Sequence, residues 1–347
     1  MPELPEVEVV RRGLEPFMAS RVIERVEVFD ARSLKRHAGG EENFVRQLEG
    51  RRVRSVARRG KFLWAPLSDA GSAPSNPSPY GEALVMHLGM SGQLRVRDGA
   101  VSGAPQASEP HVSEGPAPDP VTHLRIRLHM EGGARIDFVD QRIFGGMHVS
   151  PLIGTADARA GGEGTDLPLI PQSAAHIARD LLDPFLDEGN LVRRIRMRTA
   201  PIKSVILDQS TLSGIGNIYA DEGLWEARLH FARPAIGISS RKVKELLRVC
   251  RDVMQRALEV GGTSFDALYV NVDGRSGYLD IDVERVEGSR AHEGRDCLCR
   301  ASAMRRQAIL RSDLARRALD KQLNGPAHLV AHRHKVGSRS LRGVACA

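Results

Sequence analysis

Apolar positions in the first eighteen residues share one side of a helix. Val7, Val10, Leu14 and Phe17 recur at steps of three and four between Pro2 and Met18, the spacing of a single helical face. Pro5 sits at an early turn, where a missing N–H is harmless, and three glutamates sit near the positive end of the helix dipole. From Arg21 to about Met147 the period changes to short runs rich in Val, Ile and Leu, at 22–28, 51–57, 62–67, 83–88, 94–97, 124–128 and 134–139. Short strands separated by turn residues predict a sandwich or barrel. Helical patterning returns at 174–182, 187–194, 204–211 and 219–227, and most clearly at 241–260. There Val243, Leu246, Leu247, Cys250, Val253, Met254 and Ala257 follow the 3.6 period, with Ser240 as the expected N-cap and Gly261 just past the end.

Two stretches dense in Pro, Ser, Gly and Ala, 68–82 and 98–121, read as loops on the strand-rich part. A third, 154–171, separates strands from helices. The expected fold class is therefore α+β. A leading helix and β-sandwich occupy 1–150, a linker 151–175, a helical part 176–288, and a basic tail 289–347.

The net charge of +7 and pI near 9.5 point to a polyanionic partner, nucleic acid or an acidic membrane surface. From Ser289 onward there are 13 Lys/Arg against 4 Asp/Glu, so the excess lies in the tail. No apolar run is long enough to span a bilayer, and the acidic start is unlike a secretory signal. Four cysteines in 347 residues argue against a disulfide scaffold and fit a reducing compartment. A cytoplasmic monomer is expected.

Candidate chemistry is concentrated in a series of strings. The chain opens MPELPEVEVV, and proline at position 2 is small enough for methionine removal, which leaves a secondary amine as a nucleophile. ARRGKFLWAPL places Lys61 after a glycine at the start of a strand, and VMHLGMSGQL puts Met90 on a glycine-flanked turn. DFVDQRIFGG holds Arg142 and Phe144. In STLSGIGNIYADEGLW, Gly214 and Gly216 permit a tight turn before a helix whose N–H groups would face a phosphate. Taken singly, each has an ordinary reading, as a helix start, a surface lysine, a core methionine or a packing hairpin.

In this order the strings resemble the formamidopyrimidine-DNA glycosylase family over residues 2 to about 285, outside the two loops. The resemblance implies a bifunctional enzyme that removes oxidised purines such as 8-oxoguanine from double-stranded DNA and then cuts the abasic site by elimination. It implies that Pro2 attacks the sugar, Glu3 shuttles protons and Lys61 donates a proton during β-elimination. Met90 would fill the gap left by the everted base, Arg142 would read the orphaned partner base, and Phe144 would wedge beside it. Lys203 and Asn217 would hold phosphates, and Glu222 would lie near the proline. FDALYVNVDGRSGYLD, residues 265–280, resembles the segment that caps the everted base.

The pattern is broken at three places. Ile143 replaces the usual Arg or Thr, and of a paired histidine motif only His123 is present, with Val121 at the first position. The family ends in a zinc finger with two CxxC pairs, whereas this chain has Cys297 and Cys299 one residue apart and then only Cys346, with His328, His332 and His334 between. The four-cysteine zinc site is incomplete as written; Cys297 and Cys299 are its candidate remnants, and the three histidines with Cys346 are substitute ligands whose ordinary reading is solvated polar residues of a basic tail. A finger held by packing alone and a frame shift near Asp296 both account for this. Two other functions stay open: a damaged-DNA-binding protein that has lost turnover, and a glycosylase for oxidised pyrimidines, against which Leu4 speaks because that branch usually has glycine there.

Overall fold

The computed structural model describes residues 2–69, 81–97, 122–259 and 261. The two Pro/Ser-rich loops fall almost wholly outside them. So do the 265–280 segment and the tail with Cys297, Cys299 and Cys346.

Helix α1 (Leu4–Met18) leads into ten strands: β1 (Ile23–Val28), β2 (Arg51–Val53), β3 (Ala57–Arg59), β4 (Phe62–Asp69), β5 (Glu82–His87), β6 (Gln93–Arg97), β7 (Leu124–Met130), β8 (Arg135–Val139), β9 (Gly146–Gly154) and β10 (Leu169–Pro171). They form two antiparallel sheets. One has the order β1-β7-β8-β6, and the other β10-β9-β5-β4-β2 with β3 added against β4. Alternation along β7 buries Leu124, Ile126, Leu128 and Met130 while the residues between them stay half-buried, as a strand with one face on a core should. Ile126, Leu128 and Met130 share a core with Leu63, Ala65, Leu84, Met86 and Met147 of the second sheet, and α1 closes it with Val7, Val10, Leu14 and Met18. The intervening side chains of the second sheet, Trp64, Ala83 and Val85, form a smaller cluster on its other face.

Helix α2 (Gly40–Leu48) was not expected. Its nine residues hold only three large apolar side chains, of which Phe44 and Leu48 are buried. Within 151–175, read as a linker, β10 pairs with β9, so this stretch extends the second sheet.

The second core is helical: α3 (Glu188–Arg196), α4 (Ile202–Leu207), α5 (Asn217–Glu226) and α6 (Ser240–Glu259). Gly223 on α5 approaches α6 so closely that a Cβ there would lie 2.2 Å from Cys250 Sγ. The cap of α6 lies one residue earlier than expected, because Ser239 Oγ accepts from the Lys242 N–H at 3.3 Å. The helix expected at 174–182 is absent. A short 3-10 turn, Gln172–Ala174, is followed by turns whose polar groups bond elsewhere: the Ala178 N–H donates to Gln209, and the Asp180 carboxylate accepts from Arg58 and Gly60. Leu4 belongs to the helical core while Val7, Val10, Leu14 and Met18 belong to the core between the sheets, so α1 joins both.

Candidate active site

The start of α1 rests on the turn before α5. Leu4 N–H donates to Gly214 O at 3.1 Å. The Glu3 carboxylate, 3% exposed, accepts from Gly216 N–H at 2.7 Å, Ile218 N–H at 2.9 Å and, more weakly, Tyr219 N–H at 3.4 Å. A carboxylate at a helix N-terminus satisfies orphan donors and meets the positive end of the dipole. The expectation that these N–H groups face an external phosphate is therefore corrected: the anion they hold is Glu3. Gly216 is required by that approach, since a Cβ there would lie 2.3 Å from the Glu3 carboxyl carbon, and Gly214 adopts φ +91° against Leu4. Behind Glu3, the Glu6 carboxylate accepts from the Glu3 N–H at 3.0 Å and from the Tyr219 hydroxyl at 2.9 Å.

Lys61 lies in the two-residue turn between β3 and β4, where Gly60 takes φ +56° and lies against Ser213. That turn is anchored from below. Buried Arg58 bonds Glu8 of α1 at 2.8 Å, Asp180 at 2.8 Å and the Gly60 carbonyl at 3.0 Å, and Asp180 also accepts the Gly60 N–H at 2.9 Å. Two distant segments, α1 and the turn at Asp180, are thus tied through Arg58 to the residue preceding Lys61. Glu3 and Lys61 line a cavity of about 430 Å³ with Phe62, His87, Gln209 and Asn217. Burial pushes the Glu3 carboxyl above its ordinary range, against the pull of Lys61 and of the bonds from α5. Burial likewise lowers the Lys61 ammonium, against the nearby Glu3 and Glu6 charges. Both groups are moved toward neutrality, as suits proton transfer. His87 is held neutral, lowered to about 4 by burial and by the neighbouring cations Arg36 and Lys35 together with His148; its Nδ1 accepts the Gly89 N–H.

Pro2 is buried beside Glu3. Met90 and Phe144, 41% and 49% exposed, occupy adjoining turns, because a Cβ on Gly89 would lie 2.4 Å from Gly145 N. Arg142 is exposed on the second of these turns. Asn217 is exposed at the first residue of α5. Lys203 is paired with Asp221 at 2.6 Å, joining α4 to α5. Glu222 lies half-buried on α5; neither it nor Lys203 lines the cavity.

The family model of the formamidopyrimidine-DNA glycosylase N-terminal domain matches residues 1–147, and that of the same enzymes' H2TH domain matches residues 177–268. The chain belongs to the formamidopyrimidine-DNA glycosylase family. A formamidopyrimidine-DNA glycosylase of Leifsonia xyli is 48% identical over 283 residues, 80% of this chain and 86% of that protein. One from Streptomyces coelicolor is 44% identical, covering 88% of this chain and 93% of that protein. The crystal structure of the Thermus thermophilus family member is 28% identical, with a TM-score of 0.56 over 80% of this chain and 84% of that one. That of the Lactococcus lactis protein with abasic-site DNA, at 23% identity and a TM-score of 0.55 over 80% of this chain and 84% of that one, shows the shared fold.

Among the described residues no group of three or more His, Cys, Asp or Glu could hold a metal ion, and no helix is long and apolar enough to cross a membrane. Sequence reasoning missed Phe62, His87 and Gln209 in the cavity and Glu6, Arg58 and Asp180 behind it. Phe62, His87, Arg58 and Gln209 lie within or beside quoted strings. Asp180 had no signal, because it sits in a stretch read as helix.

Proposed function

We propose that this chain excises oxidised purines from damaged double-stranded DNA and cleaves the resulting abasic site, acting through Pro2. The observation that carries the reading is the Glu3 carboxyl beside that proline, fastened to α5 and facing the cavity it shares with Lys61. Once Met1 is removed, the Pro2 nitrogen is a free secondary amine. Its lone pair attacks C1′ of the sugar, and the glycosidic C–N bond breaks as the base leaves with the proton shed by the proline nitrogen. Glu3, raised by burial, supplies a proton to the sugar ring oxygen as the ring opens. The iminium so formed carries no N–H proton to lose and remains an electron sink. Glu3, now a carboxylate, takes a C2′ proton, and the electrons of that C–H bond expel the 3′ phosphate as the C3′–O bond breaks, with Lys61 as proton donor to the leaving group.

Met90 and Phe144 fill the space left by the everted base, and Arg142 reads the base opposite. Asn217 contacts the phosphate backbone, and Lys203 does so in place of Asp221. A cytoplasmic location fits a DNA substrate. The zinc site of the family is not matched by the cysteines of this chain.

Borohydride reduction in the presence of an 8-oxoguanine duplex tests the reading. The mature protein is expected to form a covalent adduct at Pro2, identified by peptide mass, and Pro2→Gly to trap poorly. Equal trapping by Pro2→Gly, or an adduct elsewhere, would overturn the mechanism.

A further inference from the structure

The turns carrying Met90 and Arg142 are joined by a buried carboxylate. Asp140 is 0% exposed. One of its oxygens accepts from the Ser91 hydroxyl at 2.6 Å and from the Arg142 N–H at 3.1 Å, and the other accepts from the Gly145 N–H at 2.8 Å. The Ser91 hydroxyl oxygen also lies 3.4 Å from the Arg142 N–H. The bond from Asp140 to Arg142 alone would be an ordinary turn within one segment. The bond to Ser91 crosses 49 residues, and it fixes the turn after Met90 to the turn before Phe144.

The backbone inside this clasp is unusual. Ile143 takes φ +55°, a left-handed conformation that β-branched residues rarely adopt, with Asp140 bonds at Arg142 and Gly145 on either side. Its carbonyl accepts from Lys35 Nζ at 3.2 Å. Such a conformation persists where the surroundings over-determine it. Asp140 is itself held from behind, its N–H donating to His123 O at 3.0 Å and its carbonyl accepting from Arg125 Nε at 2.8 Å.

We propose that Asp140 and Ser91 are positioning residues whose clasp makes the Met90 turn and the Arg142–Phe144 turn one rigid unit, and so sets how strictly the base opposite the lesion is discriminated. This rests on the reading of Arg142 and Met90 given above. Arg142 is a long exposed side chain, and a paired contact to a base edge requires its backbone to be fixed in advance. Without the clasp, the wedge and the reader move separately. Discrimination then falls, while the Pro2 chemistry continues.

The test compares single-turnover excision of 8-oxoguanine opposite dC and opposite dA by the full chain. Arg142→Ala sets the floor. Ser91→Ala is expected to reduce the dC-to-dA preference by about fivefold or more, Ser91→Thr to retain it because it keeps the hydroxyl, and Asp140→Asn to reduce it by placing an amide N–H against a backbone N–H or the Ser91 hydroxyl. Fluorescence of 2-aminopurine opposite the lesion should report greater mobility of that base in Ser91→Ala. Borohydride trapping on a preformed abasic site should change by less than about threefold. If Ser91→Ala keeps the preference while Arg142→Ala loses it, the clasp is refuted. If Arg142→Ala also keeps it, the reading of Arg142 falls and the proposal with it. Should Asp140→Asn not fold, the Ser91 pair still decides.

Discussion

Gly216→Ala should disable the site by displacing one carboxylate. Gly216 has φ −120° and ψ −163°, extended backbone open to any residue, so alanine brings no conformational strain of its own. The new methyl would instead lie 2.3 Å from the Glu3 carboxyl carbon and 2.3 Å from Oε1. To reach ordinary contact the carboxylate must retreat by about 1 Å, which takes both short bonds, 2.7 and 2.9 Å, outside hydrogen-bonding range. Bonds to a charged group contribute roughly 1.5–3 kcal/mol each. Water will replace part of that, leaving a loss of about 2–3 kcal/mol in the proton-transfer step, or about 30- to 150-fold in rate. The assay is the single-turnover rate of borohydride-trappable adduct across pH. The two α5 bonds hold the Glu3 carboxyl down against the burial that raises it, so losing them must move whichever limb of the profile reports Glu3 to higher pH. In a Glu3→Gln background the same change should add little, because the two residues act through one contact. A folded Gly216→Ala protein that traps within about threefold of wild type, with an unmoved profile, would refute the account of how Glu3 is held.

Other expectations follow from the same contacts. The Glu3 carboxyl is raised above its ordinary 4.5, so its stabilising contribution is complete below that value and is lost as pH rises through the folded value. The melting temperature of wild type relative to Glu3→Gln should therefore decline across that window, and a difference that rises instead would reverse the sign of the burial effect. Arg58→Met leaves Asp180 and Glu8 buried with one cation fewer and should destabilise by about 3–5 kcal/mol, roughly 6–20 °C in melting temperature, by calorimetry; an unchanged melting point would show the anchor to be dispensable. Phe144→Ala removes an exposed ring, so thermal stability should move by less than about 0.5 kcal/mol while Kd for lesion duplex rises about tenfold, within the range of one lost stacking contact. A Kd that does not move, measured by fluorescence anisotropy, would remove Phe144 from the interface.

The legible parts of the fold were those with a clean period. α1, α6 and most strands carry apolar residues at steps that only one element accommodates. β9 was missed because GMHVSPLIG contains Pro151 and begins and ends in glycine, which read as terminators. The helix expected at 174–182 fails for a tertiary reason, since Asp180 and Ala178 spend their polar groups on Arg58, Gly60 and Gln209. In the site, Pro2, Glu3, Lys61 and Asn217 were recognisable because each lies in a distinctive string. The partner of Glu3 was not, because a glycine and a helix start look equally suited to an external phosphate. What decides between them is the 213-residue separation closed by the Gly216–Glu3 bond.

That separation also sets a time. A ribosome releasing about 5–20 residues per second exposes the amino end long before Gly216 and Tyr219 emerge. For roughly ten to forty seconds Glu3 has no helix to hold it and Leu4 no core to enter. The nascent chain therefore carries a reactive amine without a catalyst around it, and activity begins only when synthesis has passed the second half of the site.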